Sequence, residues 1–161
     1  MRWSKLKQVT EARFAPEVRG RVGLHMTAYR YELSRINREE RAWITIDGRE
    51  IVNMHRHMTN GSVWVYDNDR NEHDVYETWD LYGSMRALLT CTVDDALAGK
   101  FPGYQLGAIG GGQVLRGLAI LDARVGRRRL ARLDPDQERP LVAELLRFRL
   151  AARPQPAANG G

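Results

Sequence analysis

At 161 residues the chain is long enough for one compact domain and too short for two full catalytic domains, given about 100–200 residues per domain. Its hydrophobic fraction of 43% and charged fraction of 28% are those of an ordinary soluble globular protein, so a core that needs no staples is expected. The net charge of +5 is unevenly placed: residues 1–66 hold 12 basic and 7 acidic side chains, residues 67–115 hold 3 and 8, and residues 116–161 hold 10 and 5, so an acidic middle able to face the basic ends weakens any inference to an external polyanion.

Ser4 is a candidate N-cap, and Trp3, Leu6, Val9 or Thr10, and Arg13 or Phe14 follow at helical spacing until Pro16 and Gly20. This predicts a helix over 4–15 that docks by its Trp3/Leu6/Val9 face. Val22, Leu24 and Met26 interleave with smaller residues as in a strand over 21–31, and the charged stretch 32–40 reads as a solvated loop. Ala42-Trp43-Ile44-Thr45-Ile46, Asp47-Gly48 and Arg49-Glu50-Ile51-Val52-Asn53-Met54 form the clearest local signal. Asp-Gly tolerates the positive φ of a two-residue type I′ turn, and β-rich runs flank it, so a hairpin is predicted. Asn60-Gly61 is a second turn, leading to a short strand over Ser62-Val63-Trp64-Val65-Tyr66.

Beyond Asp80 the texture is helical: Leu81, Met85, Leu88 and Leu89 share a face, and Thr92 with Asp95 resembles a capping box with Asp in the usual Glu place. Residues 99–112 contain seven glycines or prolines and read as a loop. Val114, Leu115, Leu118, Leu121 and Val125 predict an amphipathic helix ended by Gly126. A last helix begins at Pro140, an acceptable first residue, with Leu141, Leu145 and Phe148 on one stripe. The expected fold is α+β in one domain over 1–152. An N-terminal helix and an antiparallel sheet of about three strands, spanning about 21–66, pack against a C-terminal helical layer over about 80–150. The tail 153–161 has too little apolar content to order itself.

Trp3-Ser4-Lys5-Leu6-Lys7, Gly20-Arg21-Val22 with His25, the hairpin from Ala42 to Asn53, and Leu115-Arg116-Gly117-Leu118-Ala119-Ile120-Leu121-Asp122 running into Arg127-Arg128-Arg129-Leu130 together resemble a family of small uncharacterised bacterial proteins. The resemblance covers most of the chain and implies no assigned activity, so no catalytic residue is carried over from it. The Gly-rich piece Gly107-Ala108-Ile109-Gly110-Gly111-Gly112 and the stretch His55-Arg56-His57 depart from its pattern.

Several polar groups are candidate chemistry. Period-two alternation from Val52 to Met58 puts Val52, Met54, Arg56 and Met58 on one face and Ile51, Asn53, His55 and His57 on the other, toward solvent or a cleft. Two imidazoles from one strand can ligate a metal, with His73 or Asp74 as third ligand, although a polar exposed strand face explains the pair as well. The acidic run Asp67, Asp69, Asn71, Glu72, Asp74, Glu77 and Asp80 fails as a calcium loop, because Glu72 and Thr78 stand where Gly and a bidentate carboxylate are needed. Gly107 to Gly112 lacks the Lys-Ser/Thr of a P-loop and reads as a connector. The lone Cys91 excludes an intramolecular disulfide and, with no histidine near it in sequence, gives no nucleophilic motif.

Arg124, Arg127, Arg128, Arg129 and Arg132 put five guanidiniums in nine residues. They either grip phosphates or pair with Asp122, Asp134, Asp136 and the acidic middle. The favoured expectation is a cytoplasmic, non-enzymatic binding module for a protein or nucleic-acid partner, contacting it through those arginines, with no membrane partner and no cofactor. A charged N-terminus and the lack of any apolar run of roughly 18 residues underlie the expected location. The alternative is a metal-dependent hydrolase or nuclease using His55, His57, His73 and Asp74.

Overall fold

The computed structural model describes residues 1–30, 38–59, 62–67, 72–73, 81–100 and 112–154. Helix α1 (Trp3–Glu11) leads into a five-stranded antiparallel sheet in the order β1 (Val22–Arg30), β2 (Arg38–Ile46), β3 (Arg49–Thr59), β4 (Ser62–Asp67), β5 (Glu72–His73). Helices α2 (Leu81–Thr90), α3 (Val93–Leu97), α4 (Gly112–Leu121), α5 (Arg127–Leu130) and α6 (Pro140–Ala151) follow, with a 3-10 turn at Pro135–Gln137. The α+β class and its layering are as expected, but the sheet has five strands instead of about three. Arg38, Glu39 and Glu40 belong to β2 and not to a loop. Asn60-Gly61, the Gly107–Gly111 stretch and most of the acidic run lie outside the described residues, as does the tail from 155 onward.

The Asp47-Gly48 turn forms as its chemistry dictates, with φ of 49° and 80°. Across it the β2–β3 register shifts: Ile44 faces Val52 while Thr45 faces Glu50, which leaves Ile51 as a bulge residue. The bulge offsets the expected alternation. Ile51 and Val52 both pack against the core beside Met54. Asn53, expected on an open face, is buried on the polar side of the sheet, where Arg41 donates to its Oδ1 and its Nδ2 donates to Glu50.

Leu6, Phe14, Val18, Leu24, Ile44, Leu88, Leu115, Leu118, Leu121, Leu145 and Leu146 belong to one buried cluster reaching from α1 to the end of α6. Helix α1 is shorter than the predicted 4–15, and its N-cap is Arg2, without a side-chain cap bond, so Ser4 is not the cap. The chain leaves the helix early because Phe14 bridges Asp122 and Ala15 N–H donates to Leu121 O at 2.8 Å. Leu6 and Thr10 are its buried positions. Residues Lys7 and Glu11 also guard the edge of β1: Lys7 Nζ donates to Leu24 O and Leu24 N–H donates to Glu11 Oε1.

Thr92 caps α3 by accepting from Asp95 N–H, and Pro140 opens α6, both as predicted. Gly112 starts α4 against Gly99, where a Cβ would stand 2.5 Å from the Gly99 carbonyl oxygen. Helix α4 ends at Leu121 and not at Gly126, which is instead the extended N-cap of α5. The end is set by tertiary contacts. Arg149 of α6, 3% exposed, donates Nη1 to Leu121 O at 2.9 Å and Nη2 to Val125 O at 3.2 Å, supplying partners for a helix C-terminus. Its Nε meets Glu17 Oε1 at 3.0 Å as an ion pair off the line of a hydrogen bond. Burial pushes the Arg149 guanidinium below its ordinary value, and Glu17 opposes the shift.

Removing Arg149 strands the buried Glu17 carboxylate and those carbonyls. Arg149→Ala is expected to cost about 3–5 kcal/mol in urea denaturation, and Glu17→Leu/Arg149→Met to recover part of that loss. A loss under about 1 kcal/mol for Arg149→Ala would show that the buried pair is not essential to the fold.

Candidate functional site

Two surfaces hold the polar candidates. The first is the polar face of the sheet, where backbone register aligns His25 with Trp43 and Trp43 with Asn53, Arg41 with His55, and Glu39 with His57. The His25 and Trp43 rings stack with centroids 5.0 Å apart and planes 10° from parallel. Arg41 lies 4.3 Å from the Trp43 ring centroid while tied to Glu50 at 2.8 Å and to Asn53 at 3.0 Å. The indole is thus held between a β1 imidazole and a guanidinium anchored on β3. His25 Nε2 lies 3.0 Å from Thr45 Oγ1.

His55 and His57 keep the same parity on β3, half-buried, and their register partners on β4 are Tyr66 and Trp64. His73 does not join that row: it pairs with Val65, which pairs with Arg56, one position out of phase with His55. Asp74 lies outside the described residues. Among the described residues no three His, Cys, Asp or Glu side chains are grouped to hold a metal ion.

The second surface is basic and is assembled from two distant stretches of chain. Residues 12–20 and 122–133 are joined by Ala15 N–H to Leu121 O and Ala123 N–H to Arg13 O, each 2.8 Å, around the Phe14–Asp122 bridge. They carry seven arginines: Arg13, Arg19, Arg124, Arg127, Arg128, Arg129 and Arg132. Their two carboxylates, Glu17 and Asp122, are 8% and 1% exposed. The anions are therefore inside and the cations outside. Among the described residues, segments 1–20, 81–100 and 112–154 hold 17 basic and 9 acidic side chains, and segments 21–30, 38–59, 62–67 and 72–73 hold 6 and 6.

The five arginines singled out by sequence have different fates. Arg124 is fork-bonded to Asp122, with Nη2 to Oδ2 at 2.7 Å, which raises its pKa and keeps it cationic. Arg127 caps α6 by donating to Ala152 O at 2.7 Å and Leu150 O at 2.6 Å. Arg129 pairs with the exposed Asp94 at 2.5 Å. Arg128 and Arg132 are exposed and have no partner among the described residues. Asp136 pairs with Arg147 instead, and Asp134 caps its own turn. Sequence reasoning missed Arg13 and Arg19, which donate to Leu88 O and Phe14 O, because no local pattern links them to residues a hundred positions away.

The fold is of the α+β class. The SF0329 protein family matches residues 2–150, and the chain belongs to that uncharacterised family. No curated protein and no solved structure matches it. No helix among the described residues is long and apolar enough to cross a membrane.

The sheet surface yields a pH test. Burial first, then Lys7, holds the His25 pKa below its ordinary value, so the unfolded chain takes up its proton at higher pH than the folded one. The stability this contributes is present above about pH 6.5 and is lost as pH falls through the folded value. Wild type is expected to lose more stability than His25→Gln between about pH 7 and pH 5 in urea titrations; equal losses would remove the assignment.

Proposed function

We propose that this protein is a non-enzymatic binding module for an anionic polymer, a nucleic-acid backbone, which it contacts through the surface of Arg13, Arg19, Arg124, Arg127, Arg128 and Arg132. The observation that carries the reading is the placement of charge: these six guanidiniums come from two chain segments, with Arg129 paired to Asp94, while the two carboxylates of those segments are buried. Guanidinium forks suit phosphate oxygens, and each phosphate neutralised releases counterions that make binding fall steeply with salt.

Arg128 and Arg132 carry no bond among the described residues, so their replacement is expected to leave stability within about 0.5 kcal/mol. In anisotropy titrations with labelled single-stranded and duplex oligonucleotides, Arg128→Gln/Arg132→Gln is expected to weaken binding roughly tenfold at low salt. The slope of log K against log salt should fall by about two, nearly one for each lost phosphate contact. Salt-independent binding, or none, would end the nucleic-acid reading and leave an acidic protein as the partner to seek.

A further inference from the structure

We infer that Arg13 and Arg124 form a clamp for one phosphate group at the C-terminal end of α2. The inference rests on the reading of this surface as anion-binding and assigns a subsite within it.

Helix α2 stops at Thr90, so the carbonyls of its last turn need donors from elsewhere. Cys91 N–H still reaches Ala87 O at 2.8 Å. Leu88 O is instead taken by two guanidiniums, Arg13 Nη1 at 3.1 Å and Arg124 Nη2 at 3.3 Å. Because both nitrogens touch one oxygen, they stand no further apart than those two bonds laid end to end. Two like charges are thus brought together from separate segments. Asp122, fully buried, neutralises Arg124 from beneath, and Arg13 has no carboxylate partner among the described residues.

Of its five N–H donors Arg13 spends one on the shared carbonyl, whereas Arg124 spends Nε and Nη2 on Asp122 and Leu88 O and keeps Nη1. Arg13 is half-buried and Arg124 exposed, so donors remain on the solvent side of both. A phosphodiester presents two non-bridging oxygens, one for the remaining donors of Arg13 and one for Arg124 Nη1, and its charge offsets the unneutralised Arg13 cation. Helix α2 contributes only a C-terminal dipole, which disfavours anions, so the two side chains must supply the attraction.

The lone Cys91 stands three residues beyond Leu88, half-buried, and reports on this point. Burial pushes its thiol up, while Arg124 and Arg13 pull it down. An anion held between the arginines cancels that pull and lowers the thiolate fraction.

The test is iodoacetamide alkylation of Cys91 in the intact protein, followed by mass spectrometry. Inorganic phosphate, a short oligonucleotide, and sodium chloride at matched ionic strength are compared. Phosphate and oligonucleotide are each expected to slow alkylation about threefold relative to chloride, as a half-unit rise in thiol pKa requires. Arg13→Gln should abolish the slowing and Arg128→Gln should retain it. Arg124→Lys keeps a cation for Asp122 but loses the fork, and is expected to reduce the effect; thermal melts confirm that each variant is folded. Slowing by phosphate without any oligonucleotide binding would retain the clamp and overturn the nucleic-acid reading. Oligonucleotide binding that leaves Cys91 unchanged, with phosphate also without effect, would retain that reading and overturn the clamp.

Discussion

The structure depends on one buried charge. Arg149 leaves α6, meets Glu17 in the segment after α1, and supplies donors to the carbonyls where α4 ends. Three stretches that are far apart in sequence are thereby joined at one point, the desolvated cation being answered by the Glu17 carboxylate and by carbonyls at Nη1 and Nη2. The same junction explains the neighbouring surface. With Glu17 committed to Arg149 and Asp122 to Arg124, the acids of these segments are used internally, and the remaining guanidiniums face outward.

What was legible in the sequence was what is decided locally. The Asp47-Gly48 turn, the Thr92–Asp95 cap and Pro140 at the start of α6 depend on backbone sterics and hydrogen bonds within a few residues, and all three appear as read. Features decided across the fold were misread. Val125 kept the apolar period of α4 going on paper, whereas Ala15 and Arg149 bind the Leu121 carbonyl and the chain turns away. Period-two counting failed at Ile51 because a bulge consumes one residue, and Asn53, on the face expected, is buried there because Arg41 and Glu50 satisfy its amide.

The candidate site divides the same way. A run of five arginines is visible in any listing of residues, yet its members do three different jobs, and only contact with α3, α6 and Asp122 reveals which. Arg13 and Arg19 enter because a short backbone pairing lays residues 12–20 along 122–123. Summed charge was less informative than depth. A carboxylate at 1% exposure still offsets its neighbour but offers no repulsive group to an approaching polyanion.

The guard on β1 by Lys7 and Glu11 has a consequence for self-association. Both side chains come from the first helix of the chain, and both bind the backbone of Leu24, so the helix acts as a detachable cover on an otherwise adhesive strand. Losing either side chain therefore frees one backbone group of Leu24 on the outer edge of β1.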